Sequence, residues 1–78
     1  MTKIIGVKLK HRKDEAQELQ KIATDFGCSI KTRIGLHDAS DDECSPSGII
    51  LFEVINNGVE FEQALQAIEG ATVKSMVF

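Results

Sequence analysis

The chain repeats one pattern twice: a strand, an amphipathic helix that ends in glycine, and a second strand. Strand-like patterns cover residues 3–10, 28–36, 48–55 and 71–78, by alternation in the first two and by apolar, β-branched or aromatic residues in the last two. Helical periodicity follows strands one and three, with Asp14 and Asn57 as predicted N-caps and Gly27 and Gly70 as predicted stops, and a loop joins the two halves. With right-handed crossovers, this order predicts an α+β fold, a ferredoxin-like βαββαβ two-layer sandwich. Its four-stranded antiparallel sheet would have strands one and three in the centre and both helices on one face.

The length and charge of the chain limit what it can be. At 78 residues it is expected to form a single domain, 1–78. The longest apolar run covers only residues 48–52, too few to cross a bilayer, and because a strand pattern starts at Lys3 no signal peptide is expected. A cytoplasmic location is therefore expected, with Cys28 and Cys44 as reduced thiols. The net charge of −3 and the absence of Trp and Tyr argue against direct nucleic-acid binding.

One face of the predicted sheet has no cover from this chain. Strand three is apolar on both sides, so the uncovered face keeps one of two sets: Ile49, Leu51 and Ile55, or Ile50, Phe52 and Val54. Large apolar patches mark interaction sites, and a two-fold axis can bury such a patch against its own copy. The pattern thus predicts a homodimer or homotetramer that forms through the sheet.

The segment 37–47 contains most of the reactive side chains. His37 and Cys44 could provide two ligands to zinc or nickel, with a second subunit completing the site. The alternative is a solvated acidic turn. Because acids surround the Cys44 thiol and disfavour a thiolate, no nucleophilic catalysis is expected and the chain is predicted not to be an enzyme. Cys28 is predicted to be a small buried residue on the helix side of strand two.

Two short motifs resemble a known family. Residues 33–36, Arg-Ile-Gly-Leu, and residues 70–75, Gly-Ala-Thr-Val-Lys-Ser, are similar to segments of small ACT-like proteins described as iron-only hydrogenase system regulators. The resemblance covers nearly the whole chain. It implies an ACT-type, ferredoxin-like domain that self-associates and has a regulatory or ligand-sensing role.

The resulting hypothesis is a stand-alone ACT-like regulatory or small-ligand-sensing domain with a small-molecule pocket at the subunit interface. In that pocket Arg33 would bind a carboxylate and Gly35 would let the ligand approach the backbone. The competing interpretations are a solvated charge at Arg33 and a bulge or strand end at Gly35. The alternative function is a metal-dependent sensor that uses His37 and Cys44 across subunits.

Overall fold

The computed structural model describes residues 2–10, 12–37 and 48–78. A single turn of 3-10 helix, Gly27–Ser29, precedes the second strand. The main elements are β1 (Lys3–Leu9), α1 (Arg12–Asp25), β2 (Ile30–His37), β3 (Gly48–Val54), α2 (Gly58–Gln66) and β4 (Thr72–Val77). This is the predicted βαββαβ order.

The four strands form one antiparallel sheet in the order β2-β3-β1-β4. The two central strands are β3 and β1, as the apolar character of residues 48–55 predicted. Both helices pack on one side, which gives the two-layer α+β ferredoxin-like arrangement. The prediction of the fold class is confirmed.

The core lies between the helices and one face of the sheet. In β1 the alternation directs Ile5, Val7 and Leu9 to this side, and the register pairs Ile5 with Phe52 of β3. Phe52 meets Phe61 of α2 edge to face, with ring centroids 5.1 Å apart, a favourable geometry for aromatic pairs. The buried apolar side chains described from the helices are Leu19, Ala23, Phe61, Leu65 and, just beyond α2, Ile68.

The helix ends differ in part from the predicted caps. Asp14 is not the N-cap of α1, because the helix begins two residues earlier, at Arg12. The buried Glu15 carboxylate accepts a hydrogen bond from the Lys10 backbone N–H at 3.0 Å, so an acid in the first turn ties the helix to the preceding chain. At α2, Asn57 is the N-cap residue as predicted, in the left-handed conformation, although its side chain makes no capping bond.

Three polar contacts connect α2 and the two residues before it to the other elements. The Ser29 hydroxyl donates to Asn56 Oδ1 at 2.6 Å and accepts from Asn57 Nδ2 at 3.4 Å, which links the 3-10 turn to the start of α2. On the helix side of the sheet, Lys3 Nζ of β1 lies 2.8 Å from Glu62 Oε1 of α2. These contacts fix α2 relative to the strands beneath it.

Candidate functional site

The helix side of β2 is left partly uncovered. Helix α1 packs mainly against β1 and α2, and β2 is an edge strand. A groove of about 220 Å³ therefore opens between α1 and the β2 edge of the sheet. The described residues that line it come from β1, β2, β3 and α1: Leu9, Ala16, Leu19, Gln20, Arg33, Gly35, Leu36, Gly48, Ile49 and Ile50.

Arg33 and Gly35, the two ligand-binding residues predicted from the sequence, both line this groove. They alternate along β2 and share the helix side of the sheet, because Arg33 pairs with the buried Phe52 and Gly35 pairs with Ile50. The sequence did not indicate the α1 residues Leu19 and Gln20 as neighbours. Their contribution depends on how the helix lies over the sheet.

Arg33 is exposed to solvent yet held against the core. Its guanidinium carbon lies 5.8 Å from the centre of the Phe52 ring, within the range of a cation–π contact. A guanidinium held in this way keeps its planar set of N–H donors for an oxyanion. Arg33 is thus a cation positioned at one side of a mostly apolar groove.

The fold does not require a glycine at position 35. Its backbone lacks the positive φ found at Gly70, and no atom lies within 4 Å of the place where a Cβ would stand. The register shift of β2 falls between Ile30 and Thr32, and the strand continues to His37, so neither a bulge nor a strand end explains the residue. The missing side chain instead leaves the groove open beside Ile50.

The metal-site prediction lies outside what the structure describes. His37 is the last residue of β2, but its side chain, like the whole of Cys44, is outside the described residues. Within the described ranges, no three His, Cys, Asp or Glu side chains converge as metal ligands would.

Cys28 is not a core residue, and that prediction was wrong. It is an exposed free cysteine in the 3-10 turn. The strand alternation that would have turned it inward begins only at Ile30.

The face of the sheet opposite the helices, here called the open face, is mostly apolar. The register arranges it as three rows across the strands in the order β2, β3, β1, β4. The rows are Leu36, Ile49, Lys8 and Thr72; Ile34, Leu51, Gly6 and Lys74; and Thr32, Glu53, Ile4 and Met76. Of the two sets left open by the sequence, strand three places Ile49 and Leu51 here and turns Phe52 and Val54 inward.

A depression of about 500 Å³ lies on the open face over Gly6. Its described lining includes Leu51 and Met76, together with the two lysines Lys8 and Lys74. The third charged residue of the face is Glu53, whose Oε1 accepts a hydrogen bond from Thr32 Oγ1 at 3.0 Å. Sequence reasoning missed this depression, although a glycine in the middle of an alternating strand was a signal for it.

No helix in the described part of the chain combines the length and apolar character needed to span a bilayer.

No protein-family model matches the sequence, and no curated protein matches it. Among solved structures, the chain is similar to the uncharacterized protein TM1266 from Thermotoga maritima. The two share 19% sequence identity and superpose with a TM-score of 0.77 over 96% of this chain and 92% of that one. This likeness shows the same fold and is silent on activity.

Proposed function

We propose that the chain is an ACT-like regulatory, small-ligand-sensing domain without catalytic activity, which self-associates through the open face and binds its ligand in the groove beside α1. The observation that carries this proposal is that Arg33 and Gly35 line one groove, on the side of the sheet away from the apolar face. Ligand binding and self-association then use separate surfaces. The pocket belongs to one chain instead of lying between two sheets.

The size and charge of the open face suit a second copy of the chain. Strands lie about 4.8 Å apart, and side chains on one face of a strand lie two residues, or about 6.6 Å, apart. Four strands and three rows therefore cover on the order of 400 Å². Two such faces, with the relief of their side chains, would bury on the order of 1,000 Å² in total, where specific interfaces begin. The face also carries both signs of charge, Lys8 and Lys74 with Glu53, so a two-fold axis can oppose unlike charges.

The groove suits a sensing role because it joins elements that a ligand would hold together. Its walls belong to α1 and to β2, which are otherwise only loosely packed on each other. A ligand that contacts both would stabilise their relative position by mass action. The resemblance of residues 33–36 and 70–75 to ACT-like regulators agrees with such a role.

Native mass spectrometry of protein purified without chelator tests both parts. The wild type is expected as a dimer or tetramer with extra mass from a bound small molecule. Gly35→Val should fill the groove, lose that mass and keep the oligomer. Leu51→Glu should give a folded monomer, because it places a charge in the centre of the open face.

A matched control for Leu51→Glu is Val59→Glu on α2, where the valine is 59% exposed and away from the open face. This variant should keep the wild-type mass. A monomeric wild type at micromolar concentration would overturn the self-association. Extra mass that persists in Gly35→Val would overturn the groove as the ligand site.

A further inference from the structure

The charge of the groove restricts its ligand. Among the described residues that line it, Arg33 is the single charged side chain and Gln20 the one other long polar side chain. A carboxylate can form two parallel charge-assisted hydrogen bonds with a guanidinium. An ammonium group would enter beside a cation and, within the described lining, would find no carboxylate to balance its lost hydration.

The size and walls of the groove restrict the ligand further. A volume of about 220 Å³ holds about seven water-sized groups at ~30 Å³ each. This is smaller than a typical drug-sized pocket, which starts at about 300 Å³. Apart from Arg33 and Gln20, the described side chains that reach the groove from the helix side are aliphatic, among them Ala16 and Ile50, whereas the side chains of Leu36 and Ile49 lie on the open face. The body of the ligand is therefore short and apolar.

From these two restrictions we infer that the groove binds a small monocarboxylate with a compact apolar body and no α-ammonium group. The Arg33 guanidinium binds the carboxylate, and the apolar body lies over Gly35 against the partly exposed Ile50 and Ala16. The open space at Gly35 is the part of the groove that a side chain would remove. This inference rests on the proposed function, since it names the ligand of the same site.

Amide chemical shifts of the ¹⁵N-labelled protein can test this class of ligand with three probes of one carbon skeleton. The probes are 4-methylpentanoate, leucine, which adds an ammonium group, and 4-methylpentan-1-ol, which removes the charge. The carboxylate is expected to shift the amides of residues 33–36 and 48–50. The alcohol loses the charge-assisted hydrogen bonds to Arg33, and the ammonium group of leucine loses its hydration beside a cation. Each should therefore bind at least about tenfold more weakly.

Variants of β2 separate a specific contact from general attraction. Arg33→Gln should weaken 4-methylpentanoate binding by about tenfold or more. Lys31→Gln removes a positive charge from the same strand, outside the described lining of the groove, and should leave binding unchanged. Gly35→Val should abolish the shifts while the spectrum stays that of a folded protein.

The possible results separate this inference from the proposed function. Leucine or the alcohol binding the groove as tightly as the carboxylate would overturn the ligand class and leave the groove as a ligand site. If no probe shifts the groove amides while Gly35→Val still loses the mass carried by the wild type, the class is again wrong and the site stands. If that mass persists in Gly35→Val, the groove itself is not the ligand site.

Discussion

The two faces of the sheet contain similar residues but differ in what covers them. On the helix side, Ile5, Val7 and Phe52 are fully buried. On the open face, which the same strands form with the alternate residues, Leu51 is only half-buried and Ile34 and Met76 are 50% and 58% exposed. Hydrophobicity alone thus does not decide burial in this chain; the position of a residue in the strand alternation does.

The faces also differ in shape. On the helix side, large rings interlock, as Phe52 and Phe26 both pack against Phe61 at centroid distances of 5.1 and 5.2 Å. On the open face, the corresponding central position of β1 is Gly6, which leaves a depression between its neighbours. One face is closed within the chain, and the other keeps a depression of about 500 Å³.

The largest expected effect comes from truncating neighbouring residues of β3 that point to opposite faces. Phe52→Ala removes a fully buried ring and should lower the free energy of unfolding by about 3–5 kcal/mol. Leu51→Ala removes a half-buried side chain and should cost less than about 1 kcal/mol in the isolated chain. Urea unfolding, followed by circular dichroism over a series of protein concentrations, gives both values.

Since a loss of this size can unfold a small domain, Phe52→Leu is the second variant on the helix side. It keeps most of the volume and should cost less than about 1.5 kcal/mol. If Phe52→Ala and Leu51→Ala lowered the free energy of unfolding equally at low protein concentration, the proposed difference between the two faces would be wrong. A Leu51→Ala loss that grows with protein concentration would instead place Leu51 in the self-association interface.

Most of the fold could be predicted from the sequence because the periods of the strands and helices are nearly uninterrupted. The sequence did not predict which side chains of β3 face the helices, since residues 49–52 are apolar on both sides of the strand. The register with β1 decides it: Ile5 pairs with Phe52, and both turn toward α2. Pairing of this kind is a long-range property that a local pattern does not contain.

The candidate site was only partly predictable for a similar reason. Arg33 and Gly35 lie on one strand, so alternation alone puts them on one face. Gln20 and Leu19 join them only because α1 packs over β1 and leaves the side of β2 open. Cys28 was misplaced because a 3-10 turn, which the alternation does not reveal, occupies Gly27–Ser29.

A smaller effect is expected from adding side chains to one glycine on each face. A Cβ at Gly6 would lie 3.3 Å from Leu51 Cδ2, so the Leu51 side chain must shift by a few tenths of an ångström and Gly6→Val should be less stable than Gly35→Val by about 1 kcal/mol. Gly35→Val meets open space and should raise stability by about 0.5–1 kcal/mol, because glycine is unfavourable within a strand. Thermal unfolding of the two variants beside the wild type measures the difference. If Gly35→Val were less stable than the wild type, the groove beside α1 would not be open space at this position.

The smallest expected effect concerns the ion pair on the helix side. The hydrogen bond from Lys3 is the main cause that lowers the pKa of the Glu62 carboxyl below its ordinary value of 4.5, with the Ser75 hydroxyl adding to it and burial opposing it. A carboxyl whose pKa is lower in the folded state stabilises the fold above its unfolded pKa and loses that contribution as the pH falls through the folded pKa. Wild type should therefore exceed Glu62→Gln in stability by up to about 1 kcal/mol near neutral pH. The gap should close as the pH falls below 4.5.

Urea unfolding at a series of pH values from about 7 to about 3 follows this gap directly. Glu69→Gln is the control, because it removes one negative charge from an exposed residue beyond the end of α2. That variant should follow the wild-type curve, since within residues 2–10, 12–37 and 48–78 Glu69 has no ion pair like the one between Lys3 and Glu62. A wild-type advantage over Glu62→Gln that stayed constant into acid would mean that the glutamate acts through packing. In that case apolar packing would stabilise the contact between β1 and α2 at Lys3 and Glu62, as it stabilises the core.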